Sequence, residues 1–113
     1  MNTITKYGIT SGGDLKAFLE DAGLPVVGTS GLDGSENIIR LHNLTTMNWK
    51  SRDEIVRINC KERVMDIIES KTNLTHIDNG RGDPTREYSF IVETFADLID
   101  VVCALKVDLR LHE

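Results

Sequence analysis

Val101, Cys103, Leu105, Val107, Leu109 and Leu111 fill every odd position from 101 to 111, while Lys106, Asp108, Arg110 and His112 fill even ones. Strict alternation is the period of a half-buried β-strand, and no other stretch of the sequence is as regular. Upstream, Tyr88, Phe90 and Val92 alternate with Glu87, Ser89 and Glu93. With Asp97–Asp100 as the turn, the two runs predict an antiparallel hairpin, 87–95 with 101–111. A competing period passes through the same residues. Tyr88, Ile91, Phe95, Leu98, Val102, Leu105 and Leu109 fit a heptad seam, and Asp83-Pro84 is a good helix opening. The density of Val, Phe, Tyr, Ile and Thr favours the strands.

The rest of the chain divides at its glycines, seven of which precede residue 35. Residues 1–13 are polar and glycine-containing, which predicts a flexible N-terminal arm or a short edge strand through Ile4, Tyr7 and Ile9. Leu15, Phe18, Leu19 and Ala22 make one apolar stripe at helical spacing, with Asp14 as the expected cap, Gly23 as the stop and Pro25 beyond it. Residues 24–27 read as extended, and Gly28–Ser35 as a loop. Ile38, Ile39, Leu41, Leu44 and Met47 predict a strand over 37–47, and Trp49–Arg52 a turn.

Residues 54–60 carry two signals. Ser51 and Glu54 form a capping box, whereas Val56, Ile58 and Cys60 alternate with Arg57 and Asn59. The β-forming composition favours a strand, followed by a helix over 61–71 with Val64, Met65, Ile67 and Ile68 inward. Residues 72–86 predict a loop from Asn79-Gly80, Gly82 and Asp83-Pro84. Both 24–36 and 72–86 are expected to be the mobile parts.

These elements predict an α+β class: a single small domain over 14–113, with an antiparallel sheet of about four strands and two helices packed on one face. A chain of 113 residues is long enough for one hydrophobic core without staples. Its net charge of −5 argues against a duplex nucleic-acid partner, because the bases are interleaved with acids. No run is long and apolar enough for a membrane span, and the N-terminus lacks the apolar core of a signal peptide. The expected location is therefore cytoplasmic. Cys60 and Cys103 both fall at apolar positions and read as small buried hydrophobes with reduced thiols.

No motif for chemistry emerges. Gly28, Gly31 and Gly34 have neither Walker nor dinucleotide-loop spacing, and no lysine follows them. His42, His76 and His112 lack ligand partners at helical spacing, so no metal or cofactor is expected. A Cys60–His42 pair is not selected by anything in the sequence. Glu93, Asp97 and Asp100 read as solvated acids around a turn. Arg81-Gly82-Asp83 and the sequons at Asn43 and Asn73 have meaning only outside the cell. Trp49, Tyr88 and Phe90 read as core rather than as a stacking platform.

The expectation is a non-enzymatic structural or assembly protein that acts through protein–protein surfaces and forms a homo-oligomer. The layout is similar to that of small phage virion-joining proteins such as tail-terminator subunits, a likeness of layout that no motif carries. The alternative is a small acidic module that inhibits a basic host or toxin protein, and a further one is a small enzyme with an unrecognised site. The predicted last strand is apolar on both sides at Val102 and Ala104, which needs a second cover. Val102, Ala104, Lys106 and Arg110 are therefore the expected interface.

Overall fold

A computed structural model of the chain describes residues 3–31, 37–79 and 86–111, and of Leu111 only the backbone. Strands β1 (Gly28–Ser30), β2 (Ile38–Arg40), β3 (Thr46–Lys50), β4 (Ile55–Cys60), β5 (Ile77–Asp78) and β6 (Tyr88–Val92) form one sheet in the order β1-β2-β3-β4-β6-β5. Every pairing is antiparallel. Helices α1 (Gly12–Asp21), α2 (Glu62–Lys71) and α3 (Phe95–Leu111) complete a small compact α+β domain. The sheet is thus wider than the four strands expected, and three helices replace two.

The main correction is at the C-terminus, where 101–111 is part of a 17-residue helix and not a strand. The predicted hairpin is therefore half right: its first arm is β6. Thr94 explains the switch. Its hydroxyl accepts the Asp97 backbone N–H at 3.1 Å, an N-cap, and its carbonyl accepts Leu98 N–H at 3.1 Å as the first helical bond of α3. Leu98, the pair Val101 and Val102, Leu105 and Asp108 then recur on one helical face, each step to the next turn being three or four residues, and all are buried. In a stretch so rich in apolar residues, helical and strand periods both find matches. Cys103 exposes the coincidence: an odd apolar position, it points outward and is exposed, against the expectation of a buried thiol.

Smaller differences have local causes. Ser11, not Asp14, caps α1: its hydroxyl accepts Asp14 N–H at 3.0 Å, while the Asp14 carboxylate accepts from Thr10. Those bonds hold the Asp14 carboxyl below its ordinary range. Gly23, at φ 94°, ends the helix as expected, with Leu24 N–H reaching Leu19 O at 2.9 Å. The strand expected over 37–47 is two strands, β2 and β3, joined by a tight turn. Trp49, expected in a turn, lies inside β3. The loop expected over 72–86 contains β5, and the segment 80–85 lies outside the described residues. Residues 3–13, expected as an arm, contribute Ile4 and Ile9 to the core, and Thr3 bridges to Thr94.

Strand alternation divides the sheet into two unlike faces. Ile39, Met47, Ile58 and Phe90 lie in register across the four central strands, beside Trp49, Val56 and Val92. All seven are buried in one cluster with Leu15, Leu19, Val64, Ile68, Leu98 and Leu105 of the helices. α1 lies against β2 and β3, and α2 and α3 against β6 and each other. Among the described residues, the helices therefore cover this face, and the opposite face carries none of them.

Candidate interaction surface

The uncovered face is built from the second phase of the same alternation. Register places Asn48 of β3 beside Arg57 of β4, and Asn59 of β4 beside Ser89 of β6. Asn79, just past β5, and Glu87, just before β6, flank them. Asn48, Lys50, Arg57, Asn59, Asn79 and Glu87 line an open cleft of about 500 Å³.

Ser89 is the hub of this cleft and is wholly buried. Its hydroxyl donates to Asn59 Oδ1 at 2.6 Å and accepts from Arg57 Nη2 at 3.3 Å. Asn79 Oδ1 lies at 3.4 Å, too far to compete for a single proton. The chain thus fixes the Arg57 guanidinium and the Asn59 amide at the floor of the cleft. Asn48 Oδ1 is buried with no hydrogen-bond partner among the described residues. An unpaired buried acceptor costs roughly 1–3 kcal/mol, so it is a place where a partner's N–H is worth having.

The strand positions of this face differ in charge from the chain as a whole. They carry Arg40, Lys50 and Arg57 and no acid. Glu87 and Glu93 stand just outside the two ends of β6. Ile38, Ile55 and Ile91 are half-buried between the polar side chains.

A second polar centre lies between the helices and the β2–β3 turn. Asp108, wholly buried in the last turn of α3, accepts His42 Nε2–H and Asn43 Nδ2–H, both at 2.8 Å, on Oδ2. Arg63 Nη2 of α2 stands 3.5 Å from Oδ1. A carboxylate at a helix C-terminus is opposed by the helix dipole, so these three groups keep it there. The turn that delivers His42 and Asn43 is His42-Asn43-Leu44-Thr45, with φ of 56° at Asn43 and 58° at Leu44. Two positive φ values make a type I′ turn, which favours asparagine and glycine; a leucine there is strained. Leu44 is also 71 % exposed.

A third cluster ties α2 to the segment before β5. Glu69 accepts the His76 backbone N–H at 3.0 Å and Nδ1–H at 2.7 Å, which holds its carboxyl below the usual range. Beside it Arg86 bonds Asp78 and lies over the Tyr88 ring.

The residues singled out from sequence fall elsewhere. Val102 and Ala104 are buried within the chain's own helical layer, while Lys106 is half-buried and Arg110 exposed. With 101–111 helical, the argument that placed an interface there, a strand apolar on both sides, no longer applies. His42 is bonded to Asp108, not aimed at Cys60. Burial, with Glu87 adding to it, pushes the Cys60 thiol up to about 12, so it is protonated at neutral pH. Trp49, Tyr88 and Phe90 are core residues. Asp97 and Asp100 open α3, and Glu93 precedes it. Arg81, Gly82, Asp83 and His112 lie outside the described residues, as does the later part of the Gly28–Ser35 loop. Among the described residues, no group of three or more His, Cys, Asp or Glu could hold a metal ion, and no helix is long and apolar enough to cross a membrane.

The cleft itself was missed. Its signal was present in the polar phase of two strands: Arg57 and Asn59 against Val56, Ile58 and Cys60, and Ser89 against Tyr88, Phe90 and Val92. Only the pairing of β4 with β6 puts those polar residues side by side. No family model, curated protein or solved structure matches the chain.

Proposed function

We propose that this chain is a non-enzymatic assembly protein, of the kind that joins subunits in a larger particle, and that its contact surface is the open face of the sheet. The observation that supports this reading is the charge of that face. In a chain of net −5, the strand positions on that face carry Arg40, Lys50 and Arg57 and no acid, set around a cleft lined by three asparagines, two of those bases and Glu87. Small-molecule sites are mostly apolar and enclosed, whereas a wet, polar, open surface suits a protein partner. Among the described residues, nothing in the cleft pairs a nucleophile with a base, which favours contact over catalysis.

Side-chain amides make the surface testable by NMR. As protein concentration rises from micromolar to millimolar, the Asn48, Asn59 and Asn79 amide signals are expected to shift together. Shifts confined to α3 around Lys106 and Arg110 would move the contact to the helical side, and the reading would be wrong.

A further inference from the structure

The open face needs an acidic occupant, and the other side of the same molecule is acidic. Helices α1, α2 and α3 carry nine acidic and five basic residues between them. On α2, Glu62 and Asp66 stand one helical turn apart and are both exposed. With Arg63 and the half-buried Ile67 they line an open groove of about 470 Å³. Arg63 reaches towards Asp108, so its charge is turned partly inward from that groove. The two patches match in kind: bases with half-buried isoleucines on the sheet, acids with a half-buried isoleucine on α2.

We infer that the open sheet face of one copy docks on the Glu62–Asp66 side of α2 of the next, head to tail. The inference rests on the proposed use of the open face as the contact surface. The two patches lie on opposite layers of the chain, so the contact is heterologous and each copy keeps one of each patch free. Such a contact grows until it closes into a ring or continues as a filament. Arg57 and Lys50 take the Glu62 and Asp66 carboxylates as charge-assisted pairs. Because the attraction is between accessible charges, raising salt from about 50 mM to 500 mM is expected to weaken association by about tenfold or more.

Complementation in sedimentation velocity tests this on the full chain. Arg57→Glu spoils the sheet patch, and Glu62→Gln with Asp66→Asn spoils the helix patch without reversing its charge. Circular dichroism establishes that each variant folds, and the exposed Lys50→Glu replaces Arg57→Glu if the latter does not. Each variant alone is expected to sediment as a 12.6 kDa monomer. Mixed in equal amounts they are expected to form a dimer and stop there, since one sound patch of each kind remains. If the helix variant assembles like the parent while Arg57→Glu does not, the open face is the contact but the helical layer is not its occupant. Assembly of Arg57→Glu and Lys50→Glu at the parent's affinity overturns both the inference and the use of the open face. A parent chain that stays monomeric at millimolar concentration also overturns both.

Discussion

Asp108 and Ser89 are both wholly buried polar side chains, yet they sit in opposite surroundings. Asp108 lies on the helical side, where His42, Asn43 and Arg63 from a turn and a neighbouring helix close around it. Ser89 lies on the uncovered side, where its partners Arg57 and Asn59 also line a cleft open to solvent. Around Asp108 the polar groups join three parts of the chain, with Oδ1 making no hydrogen bond among the described residues and facing Arg63 at 3.5 Å. Around Ser89 they are positioned but not exhausted, and Asn48 Oδ1 is left without a partner. Buried polarity that ties separate parts of a chain to one carboxylate holds a fold together. Buried polarity that supports an open surface holds side chains ready for something else.

That contrast predicts unequal costs for equal deletions. Asp108→Ala removes the acceptor of two buried donors and the counter-charge of Arg63, which is expected to cost about 3 kcal/mol of stability. Urea unfolding checks it, and a loss under about 1 kcal/mol would make the centre ornamental rather than structural.

Leu44→Gly relieves the strained turn that carries His42 and Asn43, and is expected to stabilise the chain by about 1 kcal/mol. The two sites are coupled through that turn, so the gain should differ measurably when Asp108 is already Ala. Full additivity in a double-mutant cycle would separate the turn from the Asp108 centre. Ser89→Ala, by contrast, is expected to cost about 0.5–1 kcal/mol, because Arg57 and Asn59 can turn to water in the cleft. A cost equal to that of Asp108→Ala would erase the distinction between the two centres.

The smallest effect belongs to Glu69. Its carboxyl is held low by the His76 backbone and ring N–H groups, so the ionised form is favoured in the folded state. Its contribution is present above the unfolded carboxylate value and is lost as pH falls through the lower folded one. Glu69→Gln should therefore lose stability at neutral pH and converge on the parent in acid. The same deficit persisting at pH 2 would place the effect in packing rather than charge.

Much of the covered side was legible in the sequence. The stripes of α1 and α2 and the alternation of β4 and β6 name most core residues, with Phe18, Ala22 and Ile67 only partly buried, because in each the β-branched or helical pattern outweighs the competing one. α3 was not legible, since Val101–Leu111 satisfies two periods and the deciding residues, Thr94 and Asp97, lie outside the run. The β2–β3 turn was hidden because Leu44 stands where a glycine would have announced it. Neither polar centre follows from local pattern: Asp108 and His42 are 66 residues apart, and Ser89 and Asn59 are 30 apart. Such clusters exist only once the pairing of the sheet and the seating of α3 are known.

Arg57→Gln, with stability and association measured on the same sample, tests the separation of folding from contact most directly. The side chain is half-buried, reaches Ser89 and lines the cleft, and its loss leaves the Asp108 centre untouched. The expected result is a stability within about 1 kcal/mol of the parent and a self-association weakened by about tenfold or more. A chain that unfolds more easily yet associates with unchanged affinity would contradict the account, for Arg57 would then belong to the fold and not to the surface.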